Sequence, residues 1–146
     1  MRGLLPIPFL LAACGKAEPP FTKELSTAGT VEVTARLEEI RGELPRKKLY
    51  DYVYVLKYKV LRVHRGKVEG DEILVGHYNP LKPRSAARDK FVKDVCGNLD
   101  RFEPGHVHRM ALAEPLDGFY MGGIIDKYFQ EKGTRYWAIC TDRARE

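Results

Sequence analysis

The stretch Leu49-Tyr-Asp-Tyr-Val-Tyr-Val-Leu-Lys-Tyr-Lys-Val-Leu-Arg-Val63 decides the fold of this chain. It is long and rich in β-branched and aromatic residues, which favour β-strands. Alternate residues of a strand lie on one face. One face here is wholly apolar, with Tyr52, Tyr54, Leu56, Tyr58 and Val60. The other face passes from valines to Lys57 and Lys59. We therefore predict a central strand whose apolar face points into the core.

The apolar pattern of this strand changes phase near its end. After Val60 the apolar residues are Leu61 and Val63, so the alternation slips by one residue. A β-bulge or a strong bend produces such a slip. It also lets one long strand serve two sides of a small barrel.

Four further runs are alternating or rich in β-branched residues, and they predict strands at residues 30–40, 72–79, 106–113 and 134–141. In the third of these runs, Met110 and Leu112 are expected to point inward. Residues 116–132 combine several glycines with the pair Ile124-Ile125. For them the pattern leaves open a loop, a short strand or a turn.

One predicted helix interrupts the strands. Pro80 and Pro83 end the sheet pattern, and apolar residues then recur at helical spacing, at Ala87, Phe91, Val92 and Val95. Ser85 is suited to cap a helix and Gly97 to stop it. We predict a helix of about three turns at residues 85–96.

The predicted order is three strands, a helix and two strands. This β-β-β-α-β-β order is that of the OB-fold, so the fold class is mainly β, a small five-stranded OB-like barrel with one helix. The segment Tyr58-Lys-Val-Leu-Arg-Val-His-Arg-Gly66, followed by Ile73-Leu-Val75, resembles netrin-type and tissue metalloproteinase inhibitor-like OB-fold modules. The inhibitors chelate zinc through an N-terminal Cys-x-Cys segment. Cys14 lacks the second cysteine, so that activity is not carried over.

The N-terminus carries a more specific motif. Arg2 precedes an apolar run that ends in Leu11-Ala12-Ala13-Cys14. This resembles the bacterial lipobox, in which the cysteine thiol receives diacylglycerol before cleavage on its amino side. The alternative is a short buried helix with an ordinary core cysteine, although Pro6 and Pro8 interrupt such a helix.

The lipobox resemblance implies a domain plan and a location. Residues 1–13 would be a lipoprotein signal peptide, residues 14–29 a flexible tether and residues 30–146 the OB-like barrel domain. The protein would be anchored in the bacterial cell envelope through the lipid on Cys14, facing the periplasm. Gly15 after the cysteine favours the outer membrane.

Composition bounds the class of protein. The chain has 146 residues, 44% of them apolar, and a formal charge of +5 with both signs interspersed. That is enough for one packed domain, and it is far from the polycation of a nucleic-acid-coating tail. No apolar run reaches the about 18 residues that a membrane-spanning helix needs.

Cys96 and Cys140 remain after the anchor cysteine is set aside. An even pair in an exported domain favours a disulfide. Two buried free thiols are the alternative. The chain has no C-x-x-C motif, which argues against thioredoxin-like redox catalysis.

Three histidines are candidates for a metal site. His106 and His108 are separated by one residue in a predicted strand, and His77 ends another strand. Imidazoles at alternate strand positions are able to meet one metal ion. No carboxylate or cysteine stands at a diagnostic spacing, however, so we predict no metal and no cofactor and keep this cluster as the alternative.

Basic residues concentrate between Asn79 and Arg109, where seven bases face four acids, a local charge of +3. Together with the central strand they supply anion-binding candidates, namely Lys57, Lys59, Lys82, Arg84, Arg88, Lys90 and Arg109. OB-folds bind oligosaccharides or oligonucleotides on an open face. In the envelope an acidic polysaccharide or a lipid headgroup is the expected ligand, and nucleic acid is not. A solvated helix face without a ligand is the alternative.

No catalytic motif accompanies these features. The chain has no G-x-S-x-G, P-loop or H-E-x-x-H segment, and we assign no catalytic residue. We therefore predict a lipid-anchored envelope protein with a non-catalytic binding domain for an acidic glycan or an envelope protein. The alternative is an envelope enzyme, or an enzyme accessory, that uses the histidine cluster.

Overall fold

The computed structural model describes Gly3, residues 20–46 and residues 50–145. The lipobox and Cys14 lie outside the described residues. The strands are β1 Val31–Glu39, β2 Val53–Arg65, β3 Glu72–Tyr78, β4 Val107–Ala113, β5 Ile124–Ile125 and β6 Arg135–Ala144. The helical elements are a short helix α1 at Arg84–Ala87 and 3-10 turns at Lys23–Ser26 and Leu116–Gly118.

Five of the strands close into a barrel in the order β1-β2-β3-β6-β4, with β4 pairing back to β1. The β3–β6 pair is parallel and the other pairs of the barrel are antiparallel. This confirms the predicted class, a small OB-like barrel. β2 is long because its first half pairs with β3 and β5, whereas its second half also pairs with β1.

The predicted bulge in β2 is present. Thr34 of β1 pairs with Arg62 and the next residue, Ala35, pairs with Val60, so Leu61 is an extra residue. The register between β1 and β2 shifts by one residue at this point. The phase slip in the sequence therefore marked a real change of strand geometry.

The barrel interior is filled as predicted. Tyr52, just before β2, is buried in the interior, as are inward residues of β2, β1 and β4 that include Tyr54, Leu56, Tyr58, Val33, Leu37, Met110 and Leu112. Val60 packs against this cluster at the rim and is only partly buried.

A second apolar layer covers the outside of the β2–β3–β6 wall. Val53, Val55 and Trp137 point outward, yet each is at most 1% exposed. They pack in a cluster with residues of the 79–102 and 114–134 segments, including Val92, Val95, Leu116 and Tyr128. The wall is thus apolar on both faces.

The predicted helix at 85–96 is much shorter than expected. α1 ends at Ala87, and Arg88 is already extended, with φ −64° and ψ 146°. The Asp89 carboxylate accepts hydrogen bonds from the backbone N–H groups of Phe91 and Val92, and also from the Tyr78 hydroxyl. A short polar side chain that satisfies nearby backbone donors competes with a helix. Val92 is buried through this turn instead of through helical packing.

The two flanking residues of the predicted helix also act differently. α1 is preceded by Pro83, with no side-chain cap from Ser85. Gly97 has φ +127° and lies so close to the Thr141 carbonyl of β6 that a Cβ would collide with it. It is glycine because the chain passes against β6, not because a helix ends there.

The disulfide between Cys96 and Cys140 is present, with the two Cα atoms 4.4 Å apart. The chain around it pairs with β6, since Cys96 N–H donates to the Ile139 carbonyl at 2.9 Å. Thr141 N–H donates back to the Cys96 carbonyl at 3.0 Å. The 94–98 segment is therefore fixed along the outside of the barrel.

Packing extends back to Pro20, within the stretch predicted as a tether. Leu25 is 1% exposed and packs with Ala111 and Cys140 on the outside of β4 and β6. The Thr22 backbone N–H and hydroxyl both donate to the Asp142 carboxylate. Residues 20–29 are thus held on the barrel. Among the described residues, no helix is long and apolar enough to cross a membrane.

The first prediction tests the direction of β2. We expect Leu56→Ala, in the fully buried interior, to lower the free energy of unfolding by about 2–5 kcal/mol. Lys59→Ala, an exposed position three residues later, should change it by no more than about 0.5 kcal/mol. Urea denaturation of both variants gives the comparison. Equal losses would contradict the inward placement of Leu56.

Candidate functional site

The seven bases proposed for anion binding do not share one face of the domain. Two of them already have carboxylate partners. Lys57 Nζ donates to Glu131 at 3.0 Å, and this bond raises the Lys57 pKa. Arg109 Nε donates to Glu32 at 2.8 Å. Lys59 is exposed on the outer side of β2.

The other four candidates lie around the 79–97 segment. Lys82 lines a cavity of about 350 Å³ beside Tyr50 and Leu81. Lys90 is exposed, with Nζ 5.0 Å from the ring centroid of Phe91. Arg84 and Arg88 line a different groove, which is also the largest of those described.

This groove, here called the anion groove, has a volume of about 550 Å³. One wall is the N-terminal segment, with Thr22, Glu24 and Thr27, and the other is formed by residues 84–97. Ile139 of β6 also lines the groove. Both walls are fixed to β6, one through Asp142 and the other through the disulfide. The groove is therefore formed before any ligand arrives, which lowers the entropic cost of binding.

Arg84 lines the anion groove, but its guanidinium is turned away into the protein and lies over the ring of Phe102, 4.9 Å from the centroid. It is 1% exposed, and its guanidinium donates to the carbonyls of Tyr78, Asn79 and Lys82 at 2.8, 2.8 and 3.0 Å. Burial lowers its pKa to about 10, which still leaves it charged at neutral pH. Within the described part of the chain, no carboxylate forms an ion pair with it.

Arg88 and Lys93 add two exposed cations to the same groove, and Glu24 and Asp94 add two carboxylates. With Arg84 the sum is three positive and two negative charges, or +1. The Asp94 carboxylate also accepts the indole N–H of Trp137 at 3.1 Å. The cations can form charge-assisted hydrogen bonds with a carboxylate of a ligand, and the two carboxylates can accept hydrogen bonds from its hydroxyl groups. The groove can therefore recognise a ligand that carries both.

The histidine candidates separate in the fold. His77 Nε2 and His108 Nδ1 both hydrogen-bond the Tyr58 hydroxyl, at 2.9 and 3.0 Å, inside the barrel. His106 is exposed instead, with Nε2 3.4 Å from Glu103. In the described ranges, no group of three His, Cys, Asp or Glu side chains is arranged to hold a metal ion.

The two buried histidines, His77 and His108, are held uncharged. Burial, and then the nearby Arg84 charge, lowers the His77 pKa well below its usual range. Burial is also the main cause that lowers the His108 pKa to about 3, followed by His106 and Arg84. The Tyr58 hydroxyl has one proton, so it donates to one ring and accepts from the other. Both rings lie against Phe102, with centroids 4.4 and 5.7 Å from it.

Sequence reasoning missed half of the anion groove. Thr22, Glu24 and Thr27 lie in a polar stretch without periodicity, which reads as a tether. The local signals are Phe21 and Leu25, the two large apolar residues of this polar stretch. Lys93 was counted among the seven bases of the 79–109 segment but was not among the anion-binding candidates.

Comparison with protein-family models, with curated proteins and with solved structures gave no match. The resemblance to netrin-type modules therefore stays a prediction.

The second prediction concerns the free energy of unfolding at acidic pH. Folding keeps His77 and His108 uncharged, whereas an unfolded histidine takes up a proton below a pKa of about 6.5. The stability that depends on the two uncharged histidines is thus fully present above about pH 6.5. It is lost as the pH falls toward about 3. Between about pH 6 and pH 5 each histidine should lower the free energy of unfolding by up to about 1.4 kcal/mol per pH unit.

Urea denaturation of His108→Gln across this pH range gives the test. The variant should be less stable at neutral pH, with a shallower loss on acidification because one proton-binding group is gone. His106→Gln, at the exposed neighbour, should keep the slope of the wild type. Identical slopes in all three proteins would contradict the burial of an uncharged His108.

Proposed function

We propose that this chain is a lipid-anchored protein of the bacterial cell envelope whose OB-like barrel binds an acidic glycan in the anion groove. The lipobox resemblance at Leu11-Ala12-Ala13-Cys14 supports the anchor and the periplasm-facing location. The observation that carries the binding proposal is that the exposed cations Arg88 and Lys93 line one groove.

The charge pattern favours an acidic glycan over a simple polyanion. Glu24 and Asp94 stand in the groove beside the cations, and they would repel a ligand made only of phosphates. A uronic-acid polymer carries one carboxylate and several hydroxyls per sugar. Its carboxylates match Arg88 and Lys93, and its hydroxyls match the acids and the hydroxyls of Ser85 and Thr27.

The position of the groove also supports this ligand over a protein. The outer β2–β3 wall, on which OB-folds bind their ligands, is covered by the barrel's own segments. What remains for binding is a polar groove of about 550 Å³, which fits a few sugar units better than a flat protein surface. An envelope protein partner is the second candidate, to be distinguished by the experiment.

The third prediction is a loss of affinity for oligogalacturonate. Arg88→Ala with Lys93→Ala should weaken binding by about tenfold or more, because two charge-assisted contacts are lost. The matched control is Lys59→Ala with Arg62→Ala, which removes the same charge from exposed positions on β2. Calorimetric titration at two salt concentrations measures both, and the affinity of the wild type should fall with salt.

Equal losses in the two double variants would show that only net charge matters, which contradicts a groove site. Equal binding of a neutral glucan by the wild type would also contradict the proposal. In that case a pull-down from envelope extract would decide for or against a protein partner.

A further inference from the structure

We propose that the domain lies directly on the membrane, with the outer face of β1 and its neighbours against anionic lipid headgroups. This face, here called the basic sheet face, is made by the outward side chains Glu32, Thr34, Arg36 and Glu38 of β1, Lys59, Arg62 and His64 of β2, and Arg109 of β4. The inference rests on the lipid anchor of the proposed function.

Only a short stretch of chain connects the domain to the proposed anchor. The Pro20 carbonyl accepts a hydrogen bond from the Asn98 amide at 3.3 Å, and Thr22 is bound to Asp142. With Leu25 buried, the chain is fixed on the barrel from Pro20 onward. Five residues, 15–19, then lie between Cys14 and Pro20, so the two Cα atoms are six residue steps apart. Six steps span at most about 22 Å, so the anchored lipid is close to this surface in any conformation.

The surface beside Pro20 is the edge of the basic sheet face. Phe21 is 42% exposed, and the Arg109 guanidinium lies over its ring at 4.5 Å from the centroid. Arg109 is in turn paired with Glu32 of β1, with Nη2 2.7 Å from Oε1. The chain therefore leaves the barrel at the edge of the basic sheet face, with an aromatic side chain at that edge.

The basic sheet face carries a net positive charge. Four bases and two acids lie on the basic sheet face, so its net charge is +2 with His64 uncharged. The two acids each have a basic neighbour, because Glu32 pairs with Arg109 and Glu38 lies 3.9 Å from Arg36. Lys59 and Arg62 extend the positive charge along β2. Such a patch is attracted to anionic lipids within about a Debye length, and the short connection to Cys14 permits that approach.

The opposite side of the barrel differs. There the β3–β6 wall is covered, and Tyr120 of the cover stacks on Trp137 with centroids 5.9 Å apart. Its neighbour Met121 is 97% exposed. Met121 therefore marks the surface that we expect to point away from the bilayer.

Tryptophan quenching by brominated lipid tests this orientation. The lipidated full-length protein is reconstituted into vesicles of phosphatidylethanolamine and phosphatidylglycerol that carry brominated chains. Phe21→Trp places a probe at the predicted contact, and Met121→Trp is the matched control. The native Trp137 is 1% exposed and supplies a constant background.

We expect quenching of the Phe21→Trp probe to exceed that of the Met121→Trp probe about threefold, because an indole beside the bilayer sits at the headgroup level, where Trp is enriched. In phosphatidylcholine vesicles this excess should shrink, because the charge attraction is absent. Equal quenching of the two probes on vesicle-bound protein would overturn the orientation. An unchanged excess in phosphatidylcholine would overturn the role of anionic headgroups.

Flotation separates this inference from the anchor itself. The wild type should float with the vesicles and Cys14→Ser should not. If the wild type failed to float, the anchor of the proposed function would be wrong, and the orientation with it. If the wild type floats and the quenching is equal, only the orientation is wrong.

Discussion

The structure depends on a barrel wall that is apolar on both sides. Tyr54 and Leu56 of β2 fill the interior, while Val53 and Val55 of the same strand face outward and are equally buried. Exposing that outer surface would forfeit about 25 cal/mol for each Å² of apolar area. The chain therefore has to supply a second layer, and it does so with the 79–102 and 114–134 segments. At Gly76 the approach is so close that a Cβ would lie 2.8 Å from both Leu116 and Val53.

This cover determines where a ligand can bind. The strand face that OB-folds use for ligands is here part of the protein's own packing. Lys57, which the bare strand would present to an anion, is bound to Glu131 of the cover. The remaining cations of the 79–97 segment meet the N-terminal segment at the edge of the cover. The anion groove is thus a consequence of closing the usual face.

The Asp142 carboxylate joins the parts of that edge. It accepts hydrogen bonds from Thr22 of the N-terminal segment and from the Asn98 backbone N–H, at 2.8 Å for the latter. Being fully buried, it needs these donors. One side chain therefore fixes a wall of the groove and also the point at which the chain departs toward the anchor. Binding and orientation share this element.

Much of the barrel was predictable because strand alternation and bulges are local signals. Tyr52 to Tyr58, the slip at Leu61 and the inward Met110 all followed from period-two patterns. The prediction of a helix at 85–96 was wrong because the Asp89 carboxylate accepts hydrogen bonds from backbone N–H groups of its own turn. The spacing of apolar residues does not reveal such bonds. The cover and the docked Leu25 depend on contacts across long sequence separations. The candidate site, built from such contacts, could be anticipated only in its bases Arg84 and Arg88.

Backbone chemical-shift mapping with oligogalacturonate tests the central claim, that the groove at the edge of the cover has replaced the strand face as the binding surface. We predict that the amide shifts concentrate at Thr27, Ser85, Lys93 and Gly97, with β2 and β3 unchanged at Val55 and Gly76. Shifts centred on the outer β2–β3 wall or on the 114–134 segment, with the groove amides unmoved, would contradict it.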